Sequence, residues 1–153
     1  MRLNDRIIRV GLWTVGMLDH VSPAVDLLVR LWLANVFWKS GLVKLSSWST
    51  TLMLFSYEYQ VPLLPPEAAA ILATAVEIGG AALLALGLGA RAGAAALFVL
   101  NLTAVISYPE LSESGLRDHY FWGILLLLYF VHGPGRLSFD HLIRTRLFQT
   151  PAG

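Results

Sequence analysis

Glu77 is the residue whose placement most invites chemistry. It stands in the middle of the apolar stretch 66–88, and a charge at bilayer depth costs about 2.5–3.5 kcal/mol on insertion scales unless it meets protein, water or a counter-charge. The preceding apolar stretch, 23–45, carries Arg30, Lys39 and Lys44, and the following one, 90–108, carries Asn101. At 100° per residue Arg30, Phe37, Gly41 and Lys44 share one helix face, whereas Lys39 points to the opposite side. Asp26 lies one turn before Arg30, in reach of it. Counted from the middle of its own stretch, Arg30 is about 6 Å to the inner side of Glu77 and Lys39 about 7.5 Å to the outer side, with Lys44 near the outer boundary. The expectation is a polar network with Glu77 as its central acid, Arg30 as the direct partner and Lys44 as the outer neighbour. Two chemistries fit such a network. It is an ion pair that only fixes helix register, or it is a ligand or proton site, the usual meaning of an ionisable group inside a membrane.

The remaining polar residues read more simply. Asn101 and Asn35 are suited to hydrogen bonds across helices. Ala81, Ala85, Gly89 and Gly93 recur every four residues, a spacing that lets helices approach closely, and no phosphate-binding glycine motif is present. A haem held by two histidines needs both imidazoles at one depth. His119 and His132 are 13 residues apart, about 20 Å of helix, and no spacing among the 4 histidines defines a metal. Hydrogen bonds to Asp118 or Asp140 serve them better. The chain has no cysteine, which removes disulfides, thiolate catalysis, cysteine-ligated clusters and thiolate zinc.

The elements that must position these residues follow from composition. Of 153 residues, 56% are hydrophobic and 14% charged, with a mean hydropathy of +0.64, too little charge to cover a water-facing surface. A net charge of +1 argues against a nucleic-acid partner. Four stretches approach the ~20 residues that cross a bilayer as helix: 23–45, 66–88, 90–108 and 116–132. Ser46–Thr51 leaves the first, Pro62, Pro65 and Pro66 open the second, Gly87, Gly89 and Arg91 make a short hairpin link, and Gly133-Pro134-Gly135 stops the last. The expected fold is all-α, an antiparallel four-helix transmembrane bundle in one domain, with interfacial terminal segments. Arg2, Arg6, Arg9, Arg91, Arg136, Arg144 and Arg146 fall on one side, and only Arg117 on the other. This asymmetry predicts cytoplasmic termini. Residues 7–18 lack a cleavage site for a secretory signal and read as an inner-face helix. Residues 138–148, with Ser138 as N-cap and Asp140 in the first turn, read as a second interfacial helix.

The order of these motifs resembles the DoxX family of small four-span membrane proteins. The first stretch has Arg30-Leu31-Trp32 and then Gly41-Leu42-Val43-Lys44-Leu45. The second has Glu77-Ile78-Gly79-Gly80, then Gly87-Leu88 and Arg91. The tail has Asp118-His119 and Gly133-Pro134-Gly135-Arg136-Leu137-Ser138-Phe139-Asp140-His141-Leu142. The resemblance spans residues 23–145 and adds Arg91 to the candidates Arg30, Lys44 and Glu77. It implies a bacterial inner-membrane protein that anchors or assembles a redox, stress-response or metal-related system. Some members resemble the membrane subunit of a thiosulfate:quinone oxidoreductase. Thiol chemistry seen in relatives with paired cysteines does not carry over.

Three functions remain open on the sequence. One is a non-enzymatic anchor with protein partners in a membrane redox complex. A second is a quinone-linked oxidoreductase subunit in which Glu77 exchanges protons and Arg30 or Lys44 holds a carbonyl oxygen. The third is a small-solute or metal transporter, which would need a homo-oligomer. No resident cofactor is expected, and a quinone is the ligand that apolar spans would admit.

Overall fold

The computed structural model describes residues 3–148, and all its regular structure is helical, with no strand among the described residues. Six helices follow one another: α1 Leu3–Ser46, α2 Trp48–Tyr57, α3 Pro66–Leu86, α4 Ala90–Ser107, α5 Glu113–His132 and α6 Phe139–Phe148. α1, α3 and α4 are long and apolar enough to cross a membrane. At 1.5 Å per residue the 21 residues of α3 span about 31 Å. α5 is of similar length, 20 residues, but its first two turns carry Glu113, Arg117, Asp118 and His119.

α1 is longer and more continuous than expected. Pro23 does not start a new helix, and residues 7–18 are continuous with the stretch 23–45: one helix of 44 residues runs through Pro23. Proline removes one backbone hydrogen bond and crowds the preceding turn, and here the flanking apolar helix is long enough to continue past it. The polar run Ser46–Thr51 is likewise not simply a loop. Only Ser47 breaks the helix, and α2 begins at Trp48. Thr51 is buried and donates to the Lys44 carbonyl at 3.0 Å, tying the new helix to the end of α1.

Local chemistry sets the other boundaries. Pro66 occupies the first turn of α3, where a missing N–H costs nothing. Gly87 ends α3 in the left-handed region, with Gly87 N–H to Leu84 O and Leu88 N–H to Leu83 O, both 3.1 Å. Gly89, also left-handed, turns the chain into α4. Ser112 caps α5 by accepting from the Gly115 N–H at 3.1 Å. Ser138 caps α6 by accepting from the His141 N–H at 3.2 Å.

α3 packs between α1 and α4, α5 packs on α4, and α2 lies across the ends of α1 and α3. The ring closes on side chains: Trp32 on Phe121 and Phe37 on Trp122 join α1 to α5 edge to face. The main core is Leu33, Ala34, Phe37, Ala81, Leu84, Ala94, Leu97, Leu126 and Tyr129. A second cluster, Phe55, Ala69, Ala70 and Ala73, sits under α2. Outward apolar residues such as Leu28, Val99, Ile106 and Ile124 are more than half exposed, a lipid-facing surface.

α3 and α4 come close together at Gly80 and Gly93. A β-carbon on Gly93 would stand 3.0 Å from the Gly80 carbonyl oxygen and 3.0 Å from Leu83 Cβ. Gly93→Val is therefore expected to cost about 1–3 kcal/mol, read as a lower detergent-denaturation midpoint. Gly79→Val, where a β-carbon meets nothing within 4 Å, should change it far less.

A candidate ligand pocket and a polar knot

Two polar centres occupy opposite ends of the bundle. At the α2 end, Gly41 sets the register. A β-carbon there would fall 2.7 Å from Ile78 Cδ1 and 3.2 Å from Glu77 Cβ, so the bare glycine allows α1 to lie against α3 at the level of Glu77. Lys44 is one turn further along and turns back to Glu77, with Nζ to Oε1 2.7 Å and to Oε2 2.9 Å. Ser40 completes the group, donating to Glu77 Oε1 at 3.0 Å and accepting from Lys44 Nζ at 3.1 Å. Glu77 is 6% exposed.

This group lies in the wall of a pocket of about 340 Å³ between α3 and α4, under α2. Its walls are mainly apolar, among them Phe55, Ala73, Val76, Ala96 and Leu100. Tyr59, Ser107, Tyr108 and His119 also line it. The Ser107 hydroxyl is buried and has no hydrogen-bond partner among the described residues. Tyr59 packs edge-on against Phe55 and Tyr108. Burial above all, then Tyr108, Glu58 and Glu77, pushes its phenol above the ordinary value.

At the hairpin end the expected Arg30–Glu77 contact is absent, and this corrects the network. Arg30 is 11 residues before Gly41, hence about 16 Å from the level of Glu77. The depth estimate failed because it centred both spans at one level, whereas α1 overruns α3 at its N-terminal side. Arg30 is 1% exposed and donates instead to the Pro134 carbonyl and, at 2.7 Å, to the Leu137 carbonyl. Asp26 does not take the guanidinium either. Its backbone carbonyl accepts from the Tyr129 hydroxyl at 2.8 Å, and its carboxylate lies close to Gly135.

Asp140 finishes this knot. Its carboxylate accepts from the Gly89 N–H at 2.8 Å and the Ala90 N–H at 3.1 Å, and its own N–H donates to the Gly87 carbonyl at 2.8 Å. It thus caps α4 from a position 50 residues away, where a negative group is favoured by the helix dipole.

Of the other candidates, Lys39 is exposed on α1 and outside both centres. Asn101 is buried between α4 and α5, donating to the His119 carbonyl at 2.9 Å and accepting from His119 Nδ1 at 2.7 Å. That bond takes the place of the expected His119–Asp118 contact. Arg91 is exposed at the hairpin end and reaches the Val131 carbonyl at 3.3 Å. Ser40, Tyr59 and Ser107 did not stand out in the sequence. For Ser40 the signal was available, since it precedes Lys44 by one turn on the same face. Among the described residues no three His, Asp or Glu side chains are grouped to hold a metal ion.

A buried acid and its cation on adjacent apolar helices, with a glycine hairpin behind them, define a small helical membrane protein. The family model DoxX matches residues 25–109, more than half of the chain. The chain belongs to the DoxX family. No curated protein and no solved structure matches it. The matched region holds Arg30, Lys44, Glu77, Arg91 and Asn101, while the tail that carries Asp140 lies beyond it.

Proposed function

We propose that this multi-pass membrane protein binds a lipid-soluble, carbonyl-bearing ligand of the quinone class on behalf of a membrane redox or stress-response system. The observation that carries the reading is the Lys44–Ser40–Glu77 group in the wall of a mainly apolar pocket. Small-molecule sites are commonly built this way, from apolar walls and a few convergent polar groups. Lys44 is suited to donate to a carbonyl oxygen, and Glu77 to pass it a proton. Two-electron reduction would add a proton to each carbonyl oxygen and form two O–H bonds, both protons coming from water, one of them taken up and passed on by Glu77. The electrons would come from a partner subunit that oxidises a soluble reductant, because a chain without cysteine has no thiol to supply them.

In this reading α5 is the fourth span, and the arginine-rich hairpin end faces the cytoplasm of a bacterial inner membrane. The α2 end, with the pocket, then opens toward the outer leaflet. A second reading, a pure anchor or assembly component, is favoured by the exposed apolar side chains Leu12, Trp13, Val15 and Leu18 of α1, a surface suited to partner helices.

Titration of a short-chain quinone into the purified protein, read by tryptophan quenching, tests the proposal. Glu77→Gln is expected to weaken binding tenfold or more, about 1.4 kcal/mol. Ala96→Phe, which fills the pocket from a lipid-exposed position, should block it. Equal binding by both variants and the parent chain would leave only the anchoring role.

A further inference from the structure

We infer that the cleft at the hairpin end is a phosphate-binding site, and that its occupant is the headgroup of an anionic membrane phospholipid. The cleft has a volume of about 540 Å³. Arg91, Arg136 and Arg144 line it, together with His132 and His141. Its one acid, Asp140, is engaged by the Gly89 and Ala90 N–H groups. Arg136 and Arg144 are exposed and form no ion pair among the described residues. Three guanidinium groups thus face one cavity against a single carboxylate that is already in use. Arginine is the side chain best matched to phosphate oxygens, because its planar fork donates in pairs.

The backbone around the cleft is held rigidly. Arg30 clamps the Pro134 and Leu137 carbonyls, Ser138 caps α6, and Asp140 pins it to α4. A site with fixed walls loses little entropy on binding. The source of the phosphate follows from the neighbours. Leu137, Phe139, Leu142, Ile143 and Leu147 are each at least two-fifths exposed. An amphipathic helix with such a face lies at the boundary of headgroups and acyl chains. That places the arginines at phosphate level, with apolar side chains beside them for acyl chains. Basic pockets at this depth recognise anionic headgroups, each cation contributing about 1 kcal/mol.

Native mass spectrometry of the detergent-purified chain, titrated in separate arms with phosphatidylglycerol, phosphatidylcholine and inorganic phosphate, tests the inference. Phosphatidylglycerol is expected to be retained in preference to phosphatidylcholine. The double substitution R136Q/R144Q should weaken its retention about 30-fold, as two such contacts are worth. Both residues are exposed, so an unchanged melting midpoint is expected and would separate lost binding from lost fold. R117Q, one charge removed at the opposite end of the bundle, should leave retention unchanged. Binding of inorganic phosphate that is lost in R136Q/R144Q, without preference for phosphatidylglycerol, would keep the phosphate site and overturn the lipid as its occupant. Equal retention of both lipids with no phosphate binding, or retention unaffected by R136Q/R144Q, would overturn the site itself.

Discussion

Arg30→Met is expected to destabilise the protein by about 3–6 kcal/mol, the worth of two hydrogen bonds from a charged donor at about 1.5–3 kcal/mol each. The guanidinium is wholly enclosed, and its bonds to Pro134 and Leu137 hold the segment between α5 and α6 against α1. Methionine has a comparable volume but leaves both carbonyls without a partner. Arg30→Lys should recover only part of the loss, since a compact ammonium does not reproduce the planar fork that reaches both oxygens. Trypsin offers a local readout. Arg136 is exposed within the clamped segment, so cleavage there should accelerate in Arg30→Met before the bundle itself unfolds. A variant with the parent's midpoint and the parent's cleavage rate would show that the clamp contributes nothing.

The second large effect concerns the pair at the other end. Lys44→Met leaves the Glu77 carboxylate with the Ser40 hydroxyl alone. Breaking a buried pair on one side costs about 3–5 kcal/mol, and the low end applies because the Lys44 side chain is 19% exposed. Replacing both partners tells a different story. K44M/E77M removes the pair altogether and is expected to regain most of the lost stability, since apolar replacements of buried pairs are neutral or stabilising. Denaturation midpoints of the two single variants and the double variant give the coupling directly. A double variant as unstable as Lys44→Met would mean that the pair is not what the substitution damaged. The double variant also separates structure from the proposed chemistry, because it should fold while no longer binding a quinone in the titration proposed above.

Much of this was legible in the residues, and the exceptions have physical causes. Runs of apolar side chains located α3 and α4 to within two residues. Gly87 and Gly89 announced the hairpin because a turn that short demands left-handed backbone. Glu77 stood out through the cost of a charge in oil. Lys44 stood out too, but only as an outer neighbour, and Arg30 was read in its place as the direct partner, because the relative depth of two helices is a tertiary quantity, decided here by what Gly41 lacks. α2 was hidden by its serines and threonines, which favour caps and turns in isolation, until Phe55 and Thr51 are seen buried against α1 and α3. The role of Asp140 in holding α4 was beyond reach for another reason. No local pattern links a cap to a helix start 50 residues earlier.

That last contact bears on the order in which the molecule is completed. Synthesis proceeds from the N-terminus, so the amide groups at the start of α4 and the guanidinium of Arg30 emerge long before the segment that satisfies them. Until Pro134, Leu137 and Asp140 have left the ribosome, the inserted helices lack their final latch. Nascent chains arrested short of residue 140 should therefore be far more open to proteases than finished ones.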